Sequence, residues 1–246
     1  MDDVLQATLV GLFAGILGTG SGGAIALMVK NPRNELLSFI LGFSGGIMLA
    51  IVLTDLVPEA VLLGTFKTAI LGMLLGIVFI LFLDFNLPVL KARENTRGTT
   101  RFIRTGAMLG LSIAMHNLPE GIAMGAGYIR SPSLGLSLAL TFAVHNIPEG
   151  VAMAGPLHAA KIPAWRIFFF ASLVGVPEGI GAFIGASLGS ISPLVLSMAL
   201  SFAGGAMLYI IFSELIPGAQ ELSRGLEGTI GTVFGILSGL IFLALV

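Results

Sequence analysis

Two hexapeptides place metal-binding residue types inside a stretch that is otherwise apolar. HNLPEG covers residues 116–121 and HNIPEG covers residues 145–150. In each of them a histidine precedes a glutamate by four residues, so both side chains project from one face of a helix. The pairs are His116 with Glu120 and His145 with Glu149. Imidazole and carboxylate together suit zinc, iron, manganese and similar divalent ions, so the two motifs predict a metal site.

Further polar residues accompany the two pairs. Asn117 and Asn146 directly follow the histidines and point about 100° away around a helix, where their amide oxygens could bind a second ion. Glu178, in a third Pro-Glu-Gly, could be shared or could complete that second site. Pro119 and Pro148 lack an N–H, so each frees a backbone carbonyl one turn earlier. An unpaired carboxylate in a membrane costs about 2.5 to 3.5 kcal/mol, which favours a resident cation.

Ordinary structural roles are the alternative for each of these residues. A histidine in a membrane helix more often hydrogen-bonds to a neighbouring helix than binds a metal, and a proline beside an acid can mark a hydrated kink. Two of the three histidines nevertheless occupy matched motifs, which favours metal binding. The third, His158, lies in a predicted connection, and we expect it to be an ordinary loop residue.

The composition places these motifs in a membrane. Of 246 residues, 56% are hydrophobic and 10% are charged, and the mean hydropathy is +1.02. Cysteine is absent, which excludes disulfides and thiolate metal sites. Windows long enough for a hydrocarbon core of about 30 Å predict an all-α integral membrane protein, with one transmembrane domain over 1–246. The eight predicted helices cover roughly 4–29, 36–59, 65–86, 105–129, 133–156, 164–188, 192–217 and 225–246, and a loop covers 87–104.

The placement of basic residues predicts an orientation. Ten lysines and arginines fall in loops or at helix ends on one side of the eight-helix arrangement, whereas Lys67 and Arg130 fall on the other. The ten are Lys30, Arg33, Lys91, Arg93, Arg97, Arg101, Arg104, Lys161, Arg166 and Arg224. Because cytoplasmic loops carry the excess of lysine and arginine, both termini are predicted to be extracytoplasmic and the 87–104 loop to be cytoplasmic.

Two segments of the chain repeat each other. Residues 43–60 align without gaps to residues 202–219, an offset of 159 residues. The second predicted helix runs from inside to outside and the seventh from outside to inside, so the copies are inverted. The two HNxPEG motifs likewise lie on consecutive helices that cross in opposite directions. Inverted repeats are typical of secondary transporters, whose sites lie near the bilayer midplane on interrupted helices.

Asp55 and Glu214 are equivalent positions of this repeat, toward opposite ends of the inverted helices. They are candidate pathway carboxylates, and solvated acids at helix ends remain the alternative.

The 34 glycines predict close helix packing. Gly11 and Gly15, followed by Gly18 and Gly22, recur along the first predicted helix. A phosphate-binding loop is disfavoured because no strand precedes these glycines and no lysine completes a nucleotide motif. Neither a nucleotide nor a nucleic acid is predicted as a partner.

An enzyme is disfavoured for similar reasons. Zinc proteases use H-E-x-x-H, and helical di-iron sites use Glu-x-x-His, whereas here histidine precedes glutamate by four with no second histidine in the same predicted helix. No catalytic residue and no catalytic cofactor are therefore predicted; a divalent metal is expected as a bound substrate. A channel-like metal conductor remains the main alternative to a carrier, and only kinetics separate the two.

Eight hydrophobic segments with HNxPEG on the fourth and fifth and a further PEG on the sixth closely resemble the ZIP (Zrt/Irt-like) family of divalent metal transporters. The chain is most similar to the bacterial zinc-uptake and GufA-type branches. The resemblance implies movement of Zn²⁺ or related ions, such as iron, manganese, cobalt and cadmium, toward the cytoplasm. It also implies a location in the inner or plasma membrane, outward-facing termini and often a homodimer.

The same resemblance implies the internal organisation of the molecule. The helices would follow a 3+2+3 arrangement with inverted outer triplets, and the first, fourth, fifth and sixth would move together as the metal carrier. A binuclear metal centre is implied at the middle of the membrane. His116, Glu120, His145 and Glu149 would hold the first ion, and Asn117, Asn146 and Glu178, with Glu120 and Glu149 bridging, would hold the second.

Overall fold

Eight long helices account for all regular structure in the described residues. The computed structural model describes residues 3–29, 33–86, 99–188 and 192–245. The helices are α1 (Asp3–Met28), α2 (Asn34–Leu63), α3 (Phe66–Asn86), α4 (Thr99–Arg130), α5 (Pro132–Ala159), α6 (Ala164–Ser187), α7 (Pro193–Leu222) and α8 (Glu227–Leu245). The prediction of an all-α fold is confirmed.

Hydropathy identifies the chain as a multi-pass membrane protein. Within the described ranges, six helices are long and apolar enough to span a membrane: α1, α2, α3, α6, α7 and α8. The other two, α4 and α5, have 32 and 28 residues but carry the polar HNxPEG motifs. Large apolar side chains cover the outside of the molecule; Phe82 on α3 and Phe234 on α8 are 60% and 56% exposed. Such a surface is suited to lipid rather than to water.

The helices pack as two groups of four. Helices α1, α4, α5 and α6 contact one another and form what we call the motif bundle, because it carries all three Pro-Glu-Gly segments. Helices α2, α3, α7 and α8 form the flanking bundle, in which α2 packs against α8 and α3 against α7. The two bundles meet mainly where α4 contacts α7 and where α2 contacts α5. This division agrees with the inverted 3+2+3 arrangement.

Glycines allow very close helix contacts inside each bundle. A Cβ built on Gly22 of α1 would lie 2.1 Å from the carbonyl oxygen of Ile147 on α5. In the flanking bundle, a Cβ on Gly46 of α2 would lie 2.2 Å from the carbonyl oxygen of Thr232 on α8. The α1 glycines predicted to pack, at positions 11, 15, 18 and 22, all face atoms of α4, α5 or α6 at such distances. Their packing role is confirmed.

The repeat is visible as a matched irregularity in α2 and α7. Each helix contains a five-residue π-helical turn, at Val52–Leu56 and at Ile211–Leu215, separated by the same 159 residues as the sequence repeat. Each turn is closed by a prolyl segment, with Pro58 and Pro217 at equivalent positions. A proline ring clashes with the carbonyl four residues earlier, and the wider π turn relieves that clash.

Three features differ from the sequence predictions. Helix α4 begins at Thr99, although the preceding loop was predicted to extend to residue 104. His158, predicted to be a loop residue, lies in the last turn of α5. Helix α6 is interrupted at Gly175, immediately before Val176-Pro177-Glu178. Residues 87–98 of the predicted loop, together with Lys30, Lys91, Arg93 and Arg97, lie outside the described residues.

Candidate metal centre

Three side chains from the HNxPEG motifs converge between α4 and α5. His116 Nε2 lies 3.0 Å and 3.1 Å from the two carboxylate oxygens of Glu149. His145 Nε2 lies 3.0 Å from Glu149 Oε1, so both imidazoles face one carboxylate oxygen. One potential ligand atom from each of the three residues lies within 4.8 Å of the other two. No side chain of the three is more than 2% exposed.

This spacing is close to that of a zinc coordination shell. Zinc bonds of about 2.0 to 2.2 Å in a tetrahedron place neighbouring ligand atoms roughly 3.4 Å apart. The observed N···O separations of 3.0 and 3.1 Å are slightly shorter. A small outward movement of the three side chains would therefore make room for one cation.

Glu120 stands beside this group without a hydrogen-bond partner among the described residues. Its Oε1 lies 3.7 Å from His145 Nε2. Neither carboxylate oxygen accepts a hydrogen bond within the described part of the chain, and the side chain is fully buried. Buried carboxylate oxygens are normally hydrogen-bonded or bound to a cation, so Glu120 has free capacity for a metal ion.

A second polar group joins the motif of α5 to the Pro-Glu-Gly of α6. The Asn146 side-chain amide donates a hydrogen bond of 2.8 Å to Glu178 Oε2. The Asn117 amide donates to the carbonyl oxygen of Val174, at 3.3 Å. Among the described residues, the side-chain carbonyl oxygens of both asparagines and Glu178 Oε1 accept no hydrogen bond. Three buried oxygens are thus left over, which are ligands of the kind a divalent cation accepts.

The glycines of α1 and the break in α6 position this second group. A Cβ on Gly15 would lie 2.9 Å from Glu178 Oε2, and one on Gly18 would lie 2.7 Å from the Cβ of Asn146. The backbone of α1 therefore packs directly against both residues, with no side chain between them. The interruption at Gly175 starts a new helical segment, so that Glu178 lies in its first turn. The N-terminus of a helix favours a negative charge at that position.

A cavity approaches the first group from one end of the molecule. It has a volume of about 580 Å³ and lies between the two bundles, with walls from α2, α4, α5 and α7. Asp55 and Glu59 supply carboxylates to its wall, and Arg130 lies at the same end. Phe142 also lines the cavity, and its ring meets the His145 ring edge-on at 6.3 Å. One aromatic side chain thus stands between the cavity and the histidines.

Comparison with known proteins decides the family. The model of the ZIP zinc transporter family matches residues 93–246. A zinc transporter ZupT of Chlorobium phaeovibrioides is 36% identical, with 96% of each chain covered. Similar proteins of Akkermansia muciniphila and Salmonella paratyphi A, also described as zinc transporter ZupT, are 34% identical. The alignment with the Akkermansia protein covers 100% of this chain and 97% of that protein. The alignment with the Salmonella protein covers 94% of this chain and 89% of that protein. The chain belongs to the ZIP zinc transporter family.

Membership of the ZIP family confirms the resemblance that the HNxPEG and PEG motifs indicated. It also confirms that the chain is not an enzyme, because the family consists of transporters. A divalent metal is therefore the substrate class of this ZIP protein, and no catalytic cofactor is indicated.

The remaining predicted residues of the ZIP chain lie outside the two polar groups. Asp55 lies in the π turn of α2 and lines the cavity. Glu214 lies in the π turn of α7, at the other end of the molecule, 3.6 Å from an Arg104 side-chain nitrogen. His158 Nε2 lies 3.1 Å from the carbonyl oxygen of Val29 and so ties the end of α5 to the end of α1.

Sequence reasoning missed one cluster in this ZIP protein. Arg104 was counted as a charge of the cytoplasmic loop, yet it is 9% exposed and lies inside α4, between Asp84 of α3 and Glu214 of α7. The available signal was an arginine only twelve residues before the His116 motif, together with an aspartate near the end of an otherwise apolar helix. A charged residue within a membrane helix predicts an oppositely charged partner.

Proposed function

We propose that this ZIP protein transports divalent transition metal ions, foremost zinc, toward the cytoplasm through a binuclear site on α4, α5 and α6. The observation that carries the proposal is the convergence of His116, His145 and Glu149, each of which places one ligand atom within 4.8 Å of the others in a buried position. A neutral imidazole pair with a carboxylate is a ligand set for zinc and its neighbours.

The two ions would occupy the two polar groups. His116, Glu120, His145 and Glu149 would bind the first, and the oxygens of Glu120, which accept no hydrogen bond from any described residue, support its inclusion. The second ion would be bound by Asn117, Asn146 and Glu178, with Glu120 and Glu149 bridging. This assignment is supported by three buried oxygens that accept no hydrogen bond from any described residue.

Zinc is placed first because the relatives are described as zinc transporters. Iron, manganese, cobalt and cadmium accept the same imidazole and carboxylate ligands, so we expect them to compete. Competition in an uptake assay ranks them directly.

The proposed direction depends on membrane orientation. Of the basic residues that the structure describes, Arg33, Arg101, Lys161, Arg166 and Arg224 lie at or near the Glu214 end of the helices. The positive-inside rule makes that end cytoplasmic, so both termini and the cavity would face outward. We propose one transmembrane domain over 1–246, in the inner or plasma membrane of the cell, and a homodimer as its assembly.

A carrier fits the arrangement of the two bundles better than a channel does. The cavity opens between them at the Asp55 end, whereas buried aliphatic side chains of α4 and α7, including Leu109, Ile113 and Ile210, fill the interface beyond the histidines. A carrier exposes its site to one side at a time, and slow, saturable flux would distinguish it from a channel.

Uptake of radioactive zinc into proteoliposomes tests the function. We expect saturable uptake by the natural chain and a loss of about 100-fold or more in His116→Ala and Glu149→Ala, because each removes a direct ligand. His158→Ala is the matched control, since this histidine bonds to a backbone carbonyl away from the site. Normal uptake in both ligand variants would exclude the assigned site, and inert natural protein would exclude transport.

A further inference from the structure

A buried ion cluster joins the two bundles at the end opposite the cavity. An Arg104 side-chain nitrogen lies 3.6 Å from Glu214 Oε1 and 3.9 Å from Asp84 Oδ1. The Tyr209 hydroxyl donates a 3.0 Å hydrogen bond to the other oxygen of Asp84. The three charged side chains are only 8 to 10% exposed. Arg104 belongs to the motif bundle, whereas Asp84, Tyr209 and Glu214 belong to the flanking bundle.

This cluster is separated from the metal centre by an apolar layer. Arg104 precedes His116 by twelve residues on α4, which corresponds to about 18 Å along the helix. Met108, Leu109 and Ile113 lie between them and are at most 3% exposed. A void beside Ser112 in this layer has a volume of only about 10 Å³, too small for a hydrated ion. The path from the metal centre is therefore shut toward Arg104.

The inverted repeat shows that the two ends are not equivalent. At the 159-residue offset Glu214 corresponds to Asp55, and at the 29-residue offset between the HNxPEG motifs Arg104 corresponds to Ser133. Ser133 is exposed and uncharged, while Asp55 lines the open cavity. The arginine that bridges the bundles at the closed end thus has a serine at its repeat-equivalent position, and the arginine at the open end, Arg130, lines the cavity.

We infer that Arg104, held between Asp84 and Glu214, is an intramembrane latch that keeps this end of the metal pathway closed. A cation moving toward this end is repelled by the positive guanidinium of Arg104. The same guanidinium pairs with the Glu214 carboxylate, which is then not available to the cation. Separation of α4 from α7 removes the arginine and leaves that carboxylate to face the pathway. The inference rests on the proposed function only in taking this end as the exit for the metal.

Cysteine accessibility tests the latch without measuring transport. The natural chain has no cysteine, so a thiol reagent reacts only with an introduced one. Ser112→Cys reports the closed end, because Ser112 is 2% exposed and lies between Arg104 and His116. Ala126→Cys reports the open cavity that Ala126 lines. A charged methanethiosulfonate is applied to zinc-free protein in lipid nanodiscs, where both ends meet solvent.

With Arg104→Gln, we expect labelling of Ser112→Cys to accelerate about tenfold or more, because a broken buried ion pair no longer favours the closed interface. Labelling of Ala126→Cys should slow. Arg101→Gln is the matched control: Arg101 lies one turn away on α4 and pairs with Glu221 of α7, but the two side chains are 36% and 62% exposed. An exposed pair contributes little, so this variant should label at the natural rate.

If the single change prevents folding, a triple variant with Arg104→Gln, Asp84→Asn and Glu214→Gln replaces it, since this variant removes all three charges of the cluster together. It should also label faster at Ser112→Cys. Unchanged labelling in a folded single or triple variant overturns the latch, and so does equal acceleration by Arg101→Gln. Because no zinc is present, failure of transport in the uptake assay leaves this result unaffected, and the two proposals fail separately.

Discussion

At the scale of single residues, the two glutamates of the HNxPEG motifs differ although their sequence contexts match. Glu149 contacts both histidines and thereby orients both rings toward one point. Glu120 contacts only His145, at 3.7 Å, and its oxygens are otherwise unpartnered among the described residues. Glu149 therefore orients both histidines, whereas Glu120 would add a further carboxylate to the proposed ligand set.

Removal of one carboxylate should separate the two proposed ions. Glu178→Gln keeps the shape of the side chain and its bond with Asn146 but removes the charge that a second cation requires. We expect the number of zinc ions bound per purified chain, measured by elemental analysis after equilibrium dialysis, to fall from two to one. Glu221→Gln, at an exposed position, controls for the loss of a charge. Two ions in the Glu178 variant would rule out the second site.

The identity of the candidate ligands could be predicted from the sequence, but their pairing could not. Spacing of four residues is a local property, so it placed His116 with Glu120 and His145 with Glu149 on common faces. Which glutamate contacts both histidines depends on the axial shift between α4 and α5, which the spacing within one helix does not define. The Asn146 bond to Glu178 likewise depends on the break at Gly175, which no periodicity indicated.

At the scale of helices, the glycines determine how close neighbouring backbones come. Gly185 of α6 is one example: a Cβ there would lie 2.2 Å from the carbonyl oxygen of Ile122 on α4. Gly204 of α7 is equally buried, yet the nearest atom to its Cβ would be a side-chain carbon of Val52 at 3.5 Å. The two positions look alike in the sequence and differ only in what they contact.

Alanine substitution should reveal that difference. Gly185→Ala pushes α6 away from α4, and overpacking of this kind lowers the free energy of unfolding by about 1 to 3 kcal/mol. Gly204→Ala makes an ordinary contact and should change that free energy by no more than about 0.5 kcal/mol. Thermal unfolding in detergent, followed by circular dichroism, compares the two variants. Equal unfolding midpoints would show that the α4–α6 interface adapts to the extra methyl group.

Hydropathy predicted the helices because a lipid core demands long apolar segments, but it could not predict their irregularities. The π turns of α2 and α7 follow from Pro58 and Pro217, and a proline alone is compatible with a kink, a break or a π turn. The start of α4 was placed too late because Arg101 and Arg104 lower the window average. Both arginines have carboxylate partners on neighbouring helices, which permits them to lie within the helix.

At the scale of the whole molecule, the contacts within the bundles differ in kind from the contacts between them. Inside each bundle, glycines bring helix backbones so close together that no side chain would fit between them. Between the bundles, aliphatic and methionine side chains such as Met48, Met153 and Met207 form the common core. Polar links across this interface include the Arg104 cluster and a 2.9 Å hydrogen bond from the Ser44 hydroxyl to the carbonyl oxygen of Pro148. Methionine adapts readily to a changed packing partner, so this interface is suited to rearrangement.

Distance measurements should therefore show two rigid bodies that move relative to each other. Nitroxide labels on cysteines at Ser133 of α5 and Leu62 of α2 report a distance across the bundles, and labels at Ser133 and Leu188 report one within the motif bundle. All three positions are exposed and lie at the cavity end. In pulsed electron paramagnetic resonance, we expect Arg104→Gln to shift or split the Ser133–Leu62 distance and to leave the Ser133–Leu188 distance unchanged. Addition of zinc to the natural chain should redistribute the same cross-bundle peaks, because a substrate can shift a conformational equilibrium only by binding its states unequally. A single cross-bundle distance under every condition would mean that the bundles do not separate, and the metal would then have to move through a fixed scaffold.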